Sequence, residues 1–405
     1  MKLKHKCKTP AGGGARRERG VALFLVLGFI FILAILASAF AINMRVEAVL
    51  TASSRNGVDT EWLCRSGVEY AKYVLSLHME NAQERYDSLN QRWAGGPGNT
   101  NGFNPMMSAV NLTDNNWAAG TVLGQIRGTD QPWEMLPDEL QAVFGPKWET
   151  AVRCSITITD MERKYNINRA AEDAVGRYPL TTAFEMMELS AGEIQDLVNY
   201  IKDWRDTDDL ERAAGGETDK TGQFSAKNGP IDDLTELLSI KGITDAMYWG
   251  NSTNQLAASA LTAQHPLNDD EEISYPIGLV DLFTPISKGY VNINTASMMV
   301  LQLLPGMDEN RARNIIEFRA GLDGIDGTYD DEPFDNINQL RNVAGFTSAE
   351  AIANAGRFMS VRSSTFEVTV KATIGKHSRT LVAVLARGKD TRQPKDVTIL
   401  YTYWK

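Results

Sequence analysis

The chain has 405 residues, of which 43% are hydrophobic and 23% are charged, and its formal net charge is -10. This length accommodates two or three domains of ordinary size, and the composition excludes a disordered or fibrous chain. Seven basic residues and one acid lie within residues 1–20, so the rest carries about -16, which disfavours nucleic acid and anionic lipid and suits cations or basic partners.

An almost wholly apolar segment over residues 21–42 follows the basic leader. With a rise of about 1.5 Å per residue, a helix of this length reaches about 33 Å, which is enough to cross a bilayer. It exceeds the apolar core of a cleaved secretory signal, which has about 7–15 residues. The basic leader places the N-terminus in the cytoplasm and the bulk of the chain outside. We therefore predict a membrane anchor over residues 21–42.

The helical pattern continues beyond the anchor. Leu63, Tyr70, Val74 and Leu77 fall on one face at helical spacing, and no proline occurs between residues 21 and 90. We therefore expect one long helix that extends over residues 43–80 and ends against a folded head.

Strands are predicted on both sides of a long helical block. After an irregular region over residues 91–150, apolar and polar residues alternate over 152–158, which indicates a half-buried strand. We expect a turn at 160–163 and a return strand over 165–168. Further strands are predicted over 357–373 and 378–387, joined by a tight turn, with an edge strand over 396–405.

The residues between these strands, 171–356, have mostly helical patterns. Helices are predicted over 191–204 and 230–243, and a helix–turn–helix over 295–320. The simplest arrangement is an α+β head with a helical domain inserted into its sheet. A weak internal repeat relates Tyr-Asn-Ile-Asn at 165–168 to Val-Asn-Ile-Asn at 291–294. Asn168, and Asn294 or Thr295, are the predicted N-caps of the helices that follow.

Acidic residues are densest after the helix over 191–204. Asp206 and Asp208 follow a D-x-D spacing, and Glu217 comes after a glycine pair. Such a loop suits Ca²⁺, which takes about six to eight oxygen ligands, although the order of an EF-hand is absent. The residues alone leave a metal site and a solvated acidic loop as alternatives.

Motifs for catalysis are absent from the sequence. The histidines are isolated, and there is no H-E-x-x-H, G-x-S-x-G or phosphate-binding glycine motif. The three cysteines form no C-x-x-C pair, so thiolate metal ligation is not expected. For Cys64 and Cys154, a disulfide and two buried thiols both remain open. We predict that the chain is not an enzyme.

Two segments, 234–250 and 291–319, resemble helix-hairpin-helix units. These units bind DNA phosphate through backbone N–H groups of a Gly-hydrophobic-Gly turn. Here the turns read Gly-Ile-Thr at 242–244 and Gly-Met-Asp at 306–308, so both lack the second glycine. We expect these units to pack within the helical domain and to bind no nucleic acid.

The basic leader, the glycine at its end and the apolar helix together resemble the class III signal of type IV pilins and pseudopilins. This resemblance implies cleavage by a prepilin peptidase after Gly20, with Val21 as the new, methylated N-terminus. The family's usual glutamate at the fifth mature position is replaced here by Leu25. In the family that glutamate is thought to pair with the N-terminal amine of the subunit above, so its loss suits a tip subunit.

The order of features along the mature chain resembles the minor pseudopilin K family of type II secretion systems (general secretion pathway protein K). The pattern D-W-x-D-x-D followed by G-x-E resembles the helical domain of that family, which can bind calcium. The resemblance implies Asp206, Asp208 and Glu217 as first ligands, and Asp203 and Asp209 as second. In place of the aromatic that the family often has shortly after this glutamate, the nearest here is Phe224.

The resemblance also implies a domain order and a fold. A cleaved leader and a transmembrane helix precede a periplasmic continuation of that helix, which packs on a pilin-like antiparallel sheet interrupted by an all-α domain with helix-hairpin-helix-like units. The ranges are, in order, 1–20 for the leader, 21–42 for the membrane helix, 43–80 for its continuation, 81–170 for the first part of the head, 171–356 for the inserted domain and 357–405 for the C-terminal strands.

The implied function is that of a minor pseudopilin at the tip of a periplasmic pseudopilus, which initiates and caps its assembly during export across the outer membrane. Its implied partners are the I and J minor pseudopilins, the prepilin peptidase and inner-membrane lipid. The implied location is the inner membrane, with a single pass, a cytoplasmic N-terminus and a periplasmic bulk. The alternatives are a minor pilin of a type IV pilus and a membrane-anchored helix-hairpin-helix DNA receptor.

Overall fold

The structure is a computed structural model that describes residues 15–80, 85–96, 152–172, 177–213, 216–250, 275–346, 348–374, 377–388 and 396–405. It divides into two compact units, Met1–Asp59 and Thr60–Lys405. Most of the predicted leader and of the irregular region over 91–150 lie outside the described residues, as do the two central residues of the tight turn at 375–376.

Helix α1 spans Ala15–Glu80 without a break, which confirms the predicted long helix. In the first unit its apolar side chains are exposed along the predicted membrane anchor. Within the described part of the chain, this is the helix that is long and apolar enough to cross a membrane, with a mean hydropathy of 2.9 over its most apolar stretch. A helix in lipid satisfies all its backbone hydrogen bonds internally, which suits such an exposed apolar surface.

The second unit contains the remaining helices and strands. In chain order they are β1 Val152–Asp160, β2 Tyr165–Asn166, α2 Ile167–Ala170, α3 Arg177–Glu185, α4 Ala191–Arg205, α5 Asp245–Trp249, α6 Leu279–Leu282, β3 Phe283–Thr284, β4 Val291–Asn292, α7 Met298–Gln302, α8 Glu309–Arg319, α9 Ala349–Ala355, β5 Met359–Ser360, β6 Thr365–Ile374, β7 His377–Arg387 and β8 Val397–Trp404. Short 3₁₀ helices occur at Arg92–Ala94, Met161–Arg163, Leu234–Ser239 and Ile337–Asn342.

The main sheet is antiparallel and has the order β1-β6-β7-β8. The strands predicted on both sides of the helical block are therefore confirmed, and β8 is an edge strand. The predicted return strand over 165–168 is wrong. Strand β6 pairs with β1 over the full length of β1, whereas β2 has only two residues and pairs in parallel with β3. The chain turns into helix α2 directly after Asn166, because the Asn166 side chain caps that helix.

One hydrophobic core lies between the last part of α1 and one face of the sheet. The helix contributes small and branched residues, and the sheet contributes the inward residues of β1, β6 and β7. Gly67 allows a close approach of the helix to the sheet, because a Cβ on it would lie 2.6 Å from Cγ1 of Val370. The buried residues of this core include Cys64, Val68, Ala71, Val74, Leu75, Ile156, Phe366, Val368 and Val370.

A second core fills the helical region between β1 and β6. Helix α4 buries the predicted face, with Ile194, Leu197, Val198 and Ile201 all buried. Helices α7 and α8 confirm the predicted helix–turn–helix. The predicted helix over 230–243 is shorter, because the 3₁₀ helix Leu234–Ser239 ends in extended backbone at Ile240.

The helical region consists of two copies of one module, which extends the weak repeat found in the sequence. The first copy runs from β2 to β3 over residues 165–284, and the second runs from β4 to β5 over residues 291–360. In each copy the opening strand pairs in parallel with the closing strand. Each copy also has a 3₁₀ helix followed by a glycine at positive φ, +81° at Gly242 and +94° at Gly345.

An asparagine clamp closes each copy. Asn168 accepts from the backbone N of Ile231 and donates to its carbonyl, both at 2.8 Å. Asn294 accepts from the backbone N of Phe334 at 2.8 Å and donates to its carbonyl at 3.0 Å. The predicted N-cap roles are therefore wrong for these two residues, since their amides hold a distant backbone segment.

The caps lie elsewhere in the same two segments. Asn166 caps α2 and Ser297 caps α7. Thr295, the other predicted cap, instead donates to Oδ2 of Asp160 at 2.6 Å. This contact belongs to a buried junction between the sheet and the second copy.

Candidate metal centre

The predicted processing positions lie in helix α1. Gly20 and Val21 are within its first turns, and the side chain of Leu25 is 69% exposed. Cleavage after Gly20 and the role of Leu25 remain predictions.

The predicted metal ligands lie in the loop that follows α4, residues 206–217, called here the acidic loop. Helix α4 begins with a capping box between Ser190 and Glu193, and its last backbone bond runs from the Asp206 N–H to the Lys202 carbonyl. The apolar face of the helix packs into the core, which sets the orientation of the helix. Asp203 in its last turn is therefore fully buried, and Asp206 lies at its end.

Three of the five predicted ligands come together. One carboxylate oxygen from each of Asp206, Asp208 and Glu217 lies within 4.8 Å of the other two. Gly216 makes this possible, because a Cβ on it would lie 2.7 Å from Oδ2 of Asp203. The chain can therefore pass close to α4 and return Glu217 to the end of the helix.

The other two predicted ligands bind protein donors. Oδ1 of Asp203 accepts from Nη1 of Arg212 at 2.6 Å, and Oδ2 accepts from the Arg212 backbone N at 3.1 Å. Asp209 accepts from Nδ2 of Asn228 at 2.7 Å. Arg212 also donates a hydrogen bond to Asp206. This arginine therefore links the buried Asp203 to Asp206, which is one of the three grouped carboxylates.

Sequence reasoning missed Arg212. The signal was available, because Arg212 directly follows a run of acids and lies nine residues after Asp203. Its hydrogen bond to Asp203, opposed by partial burial and supported by Asp206, raises the pKa of the guanidinium. Arg212 therefore holds a permanent positive charge that compensates two of the carboxylates.

Several carboxylate oxygens have no protein partner in the part of the acidic loop that the structure describes. Oδ1 of Asp206 and both side-chain oxygens of Glu217 are buried and accept no hydrogen bond. Burial raises the pKa of Glu217, and Asp203 and Asp206 raise it further. Buried carboxylates without donors are unfavourable. A hard cation with oxygen ligands would relieve them, so the donor set fits Ca²⁺.

The second copy has an acidic loop at the equivalent place, residues 320–333 after α8. Its carboxylates have protein donors of their own, from Arg319 of α8 for Asp326 and from the loop backbone for Asp330 and Asp331. Asp330 accepts from the backbone N of Leu322 at 2.8 Å and of Asp323 at 3.0 Å, and Asp331 accepts from that of Gly327 at 2.8 Å. Among the described residues, the carboxylates that lie close enough together to hold a metal ion are those of the acidic loop in the first copy.

The helix-hairpin-helix turns have side chains where a phosphate would bind. Asp308 caps α8, accepting from the Arg311 backbone N at 2.8 Å. Thr244 caps α5 in the same way, accepting from the Met247 backbone N at 3.2 Å. These side chains occupy the backbone N–H groups that DNA-binding hairpins present to phosphate. The geometry therefore favours packing over nucleic-acid binding.

Two family models match the helical region. The model described as "Type II secretion system (T2SS), protein K" matches residues 163–249. A helix-hairpin-helix motif model matches residues 287–359. The second range coincides closely with the second copy, and the first covers the part of the first copy that contains the acidic loop.

Whole-chain comparisons agree with these matches. The type II secretion system protein K of Pseudomonas aeruginosa PAO1 is 22% identical over 391 residues, which cover 93% of this chain and 90% of that protein. The crystal structure of the GspK-GspI-GspJ complex from the enterotoxigenic Escherichia coli type 2 secretion system contains a similar fold. The TM-score is 0.54 at 15% identity, and the match covers 88% of this chain and 99% of that chain.

Proposed function

We propose that this chain, a member of the protein K family of type II secretion systems, is the minor pseudopilin at the tip of the pseudopilus. There it initiates and caps assembly. The observation that supports this role best is the match along 93% of the chain to a protein K, together with the apolar helix and the protein K helical domain in one order. The family consists of structural subunits, and we propose no catalytic activity.

The apolar helix supports an inner-membrane location with a periplasmic bulk. We propose that the leader lies in the cytoplasm, because its basic residues favour that side. A prepilin peptidase would cut after Gly20 and leave Val21 as a methylated N-terminus. The exposed apolar side chains of α1 would then contact lipid before the subunit enters the fibre.

The similar E. coli structure contains GspK with GspI and GspJ. We propose that I-type and J-type minor pseudopilins are also the partners of this chain. Leu25 supports a position above them, because it lacks the carboxylate that would pair with the N-terminal amine of a further subunit. The chain would thus end the fibre.

We propose calcium as the ion of the acidic loop, held by Asp206, Asp208 and Glu217. Asp203 and Asp209 would support the loop through Arg212 and Asn228. The bound ion would neutralise the unpartnered carboxylates and fix the acidic loop against α4, which is a structural contribution.

The role is tested by deleting the gene and restoring it on a plasmid. We expect deletion to abolish export and pseudopilus formation, and the wild-type chain to restore both. The full chain should also co-purify in detergent with its I-type and J-type subunits. Normal export without the chain, or an I–J complex that excludes it, would reject the role.

Leu25→Glu tests the tip position separately. We expect the variant to insert into the membrane but to occur along the fibre as well as at its tip, as seen by immunogold labelling. Leu27→Glu is the matched control, since it adds the same charge to the same helix outside the fifth position. Strict tip labelling with Leu25→Glu would contradict the capping role.

A further inference from the structure

A cavity of about 550 Å³ lies at the junction between the sheet and the second copy. Its lining comes from the last turn of α1, the 3₁₀ helix after β1, the residues before β4, the segment from β5 to β6 and the end of β7. The residues that matter here are Glu162, Lys288, Tyr290, Arg362, Ser364 and Arg387. Cavities of this size are typical of sites for small ligands.

Arg387, the last residue of β7, supplies a buried cation to this cavity. It is 4% exposed. Its Nη2 donates to the Asp87 carboxylate and to the Ser363 carbonyl, the latter at 2.6 Å. Its Nη1 is buried and has no hydrogen-bond partner among the described residues. An unpartnered N–H of a buried guanidinium is unfavourable, so this atom requires an acceptor.

Two exposed basic side chains lie at the mouth of the same cavity. Neither Lys288 nor Arg362 forms an ion pair within the part of the chain that the structure describes. Elsewhere on this acidic chain, many basic side chains pair with carboxylates, such as Lys227 with Asp232. These two exposed cations, beside the buried Arg387–Asp87 pair, therefore form a local positive surface on a protein of net charge -10.

The acids near the cavity are already bonded. Both oxygens of Glu162 accept hydrogen bonds from Ser364, from its backbone N at 2.7 Å and its Oγ at 2.6 Å. Burial and then the neighbouring Asp160 raise the pKa of Glu162 to about 7. Asp87 is paired with Arg387 and with His78, whose Nε2 lies 3.1 Å from Oδ1. The positive charge thus exceeds the negative charge facing the cavity.

We propose that this cavity binds a carboxylate, with Arg387 Nη1 as the buried donor and Lys288 and Arg362 as the charges that attract and enclose it. Guanidinium groups match the planar geometry of a carboxylate, and charge-assisted hydrogen bonds of this kind are among the strongest in proteins. The exposed ring of Tyr290 provides an apolar wall for the carbon chain that carries the carboxylate. The inference is independent of the role in the pseudopilus.

The test measures the thermal unfolding of the full-length protein in detergent, with calcium in excess. Succinate is one probe and a short peptide containing two glutamates is the other, each compared with sodium chloride at equal ionic strength. We expect at least one probe to raise Tm in a saturable way. A rise with succinate alone identifies a free small carboxylate, and a rise with the peptide identifies a carboxylate on a protein chain.

The variant Lys288→Gln with Arg362→Gln should abolish this rise. Both residues are exposed, so the variant should fold with an unchanged Tm in sodium chloride. The matched control is Arg341→Gln with Lys371→Gln, which removes two exposed charges elsewhere and should leave the rise intact. The proposal is overturned by no rise with either probe, by an equal rise in the double variant, or by an equal rise with inorganic phosphate.

Discussion

Asn292, in the opening strand of the second copy, donates from its Nδ2 to Oδ2 of Asp160 at the end of strand β1, over 3.1 Å. Both residues are fully or almost fully buried. The same amide nitrogen lies 3.0 Å from the Asp87 carbonyl oxygen and 2.7 Å from Oγ of Ser363, so its two N–H donors are shared among three acceptors. One side chain therefore connects the second copy to three separate segments of the head.

Replacing this amide should loosen the junction. We expect Asn292→Ala to lower the free energy of unfolding by about 2–4 kcal/mol, because it leaves buried acceptors without donors. Urea denaturation of the full-length protein in detergent measures the change. Asn310→Ala, at an exposed position of α8, should change it by less than about 0.5 kcal/mol. Equal effects of the two variants would show that the junction contributes nothing specific.

Gly67 offers a test of the helix–sheet core. Gly67→Ala would place a methyl group 2.6 Å from Cγ1 of the buried Val370, so we expect a loss of about 1–3 kcal/mol from overpacking. Gly57→Ala is the control, because its Cβ would meet nothing within 4 Å. That change should stabilise the helix by about 0.5–1 kcal/mol. A neutral Gly67→Ala variant would contradict the close approach.

Calcium should stabilise the full-length protein. At a concentration about 100 times Kd, the expected gain in unfolding free energy is about 2.7 kcal/mol. Asp206→Ala with Asp208→Ala should abolish the gain, because two of the three grouped carboxylates are lost. Glu185→Gln with Asp245→Asn, at exposed sites elsewhere, should retain it. Identical melting curves with calcium and with EDTA would identify a solvated loop.

Arg212 should reduce the extent to which the stability of the protein depends on calcium. Arg212→Gln removes the charged partner of the fully buried Asp203. With EDTA we expect a loss of about 2–3 kcal/mol, less than for a fully buried pair because a third of the Arg212 side chain is exposed. Added calcium should recover more stability in this variant than in the wild type. A smaller recovery would show that Arg212 helps to form the site.

Processing at Gly20 predicts a specific mass. Protein extracted from membranes of a strain with prepilin peptidase should begin at Val21 and carry one added methyl group, as measured by intact-mass and N-terminal peptide analysis. In a strain without the peptidase the full leader should remain. An intact leader in both strains would contradict the pseudopilin-type signal.

Local patterns in the sequence predicted local structure well. The alternation in 152–158 and the apolar face of α4 both depend on neighbouring residues, and both are present. The partner of β1 was not predictable in this way, because β6 begins at Thr365 and no local pattern connects the two. The return strand failed for that reason: the Tyr-Asn-Ile-Asn segment looked extended, while its asparagines serve as a cap and a clamp.

In the acidic loop, too, some features were predictable from the sequence and others were not. The spacing of Asp206, Asp208 and Glu217 predicted a grouping that the structure also contains. The sequence ranked Asp203 and Asp209 as second ligands, but it did not predict that Arg212 and Asn228 bind them, because these hydrogen bonds are set by how the loop folds back. Only the opening segments of the two copies were recognisable as a repeat, since the other shared positions are few and lie in turns, caps and clamps.

The pairing of β1 with β6 has a consequence for how the protein is made. The clamps of the two copies join residues 63 and 40 positions apart, whereas the buried contact between Asp160 and Ser363 spans 203 positions. Closing a short loop loses less conformational entropy than closing a long one, so contacts between nearby residues form earlier. The copies can therefore fold while synthesis continues, but the sheet must wait for the C-terminal strands. A chain that ends early keeps β1 as an open edge, which can pair with other chains and aggregate before the subunit joins an assembly.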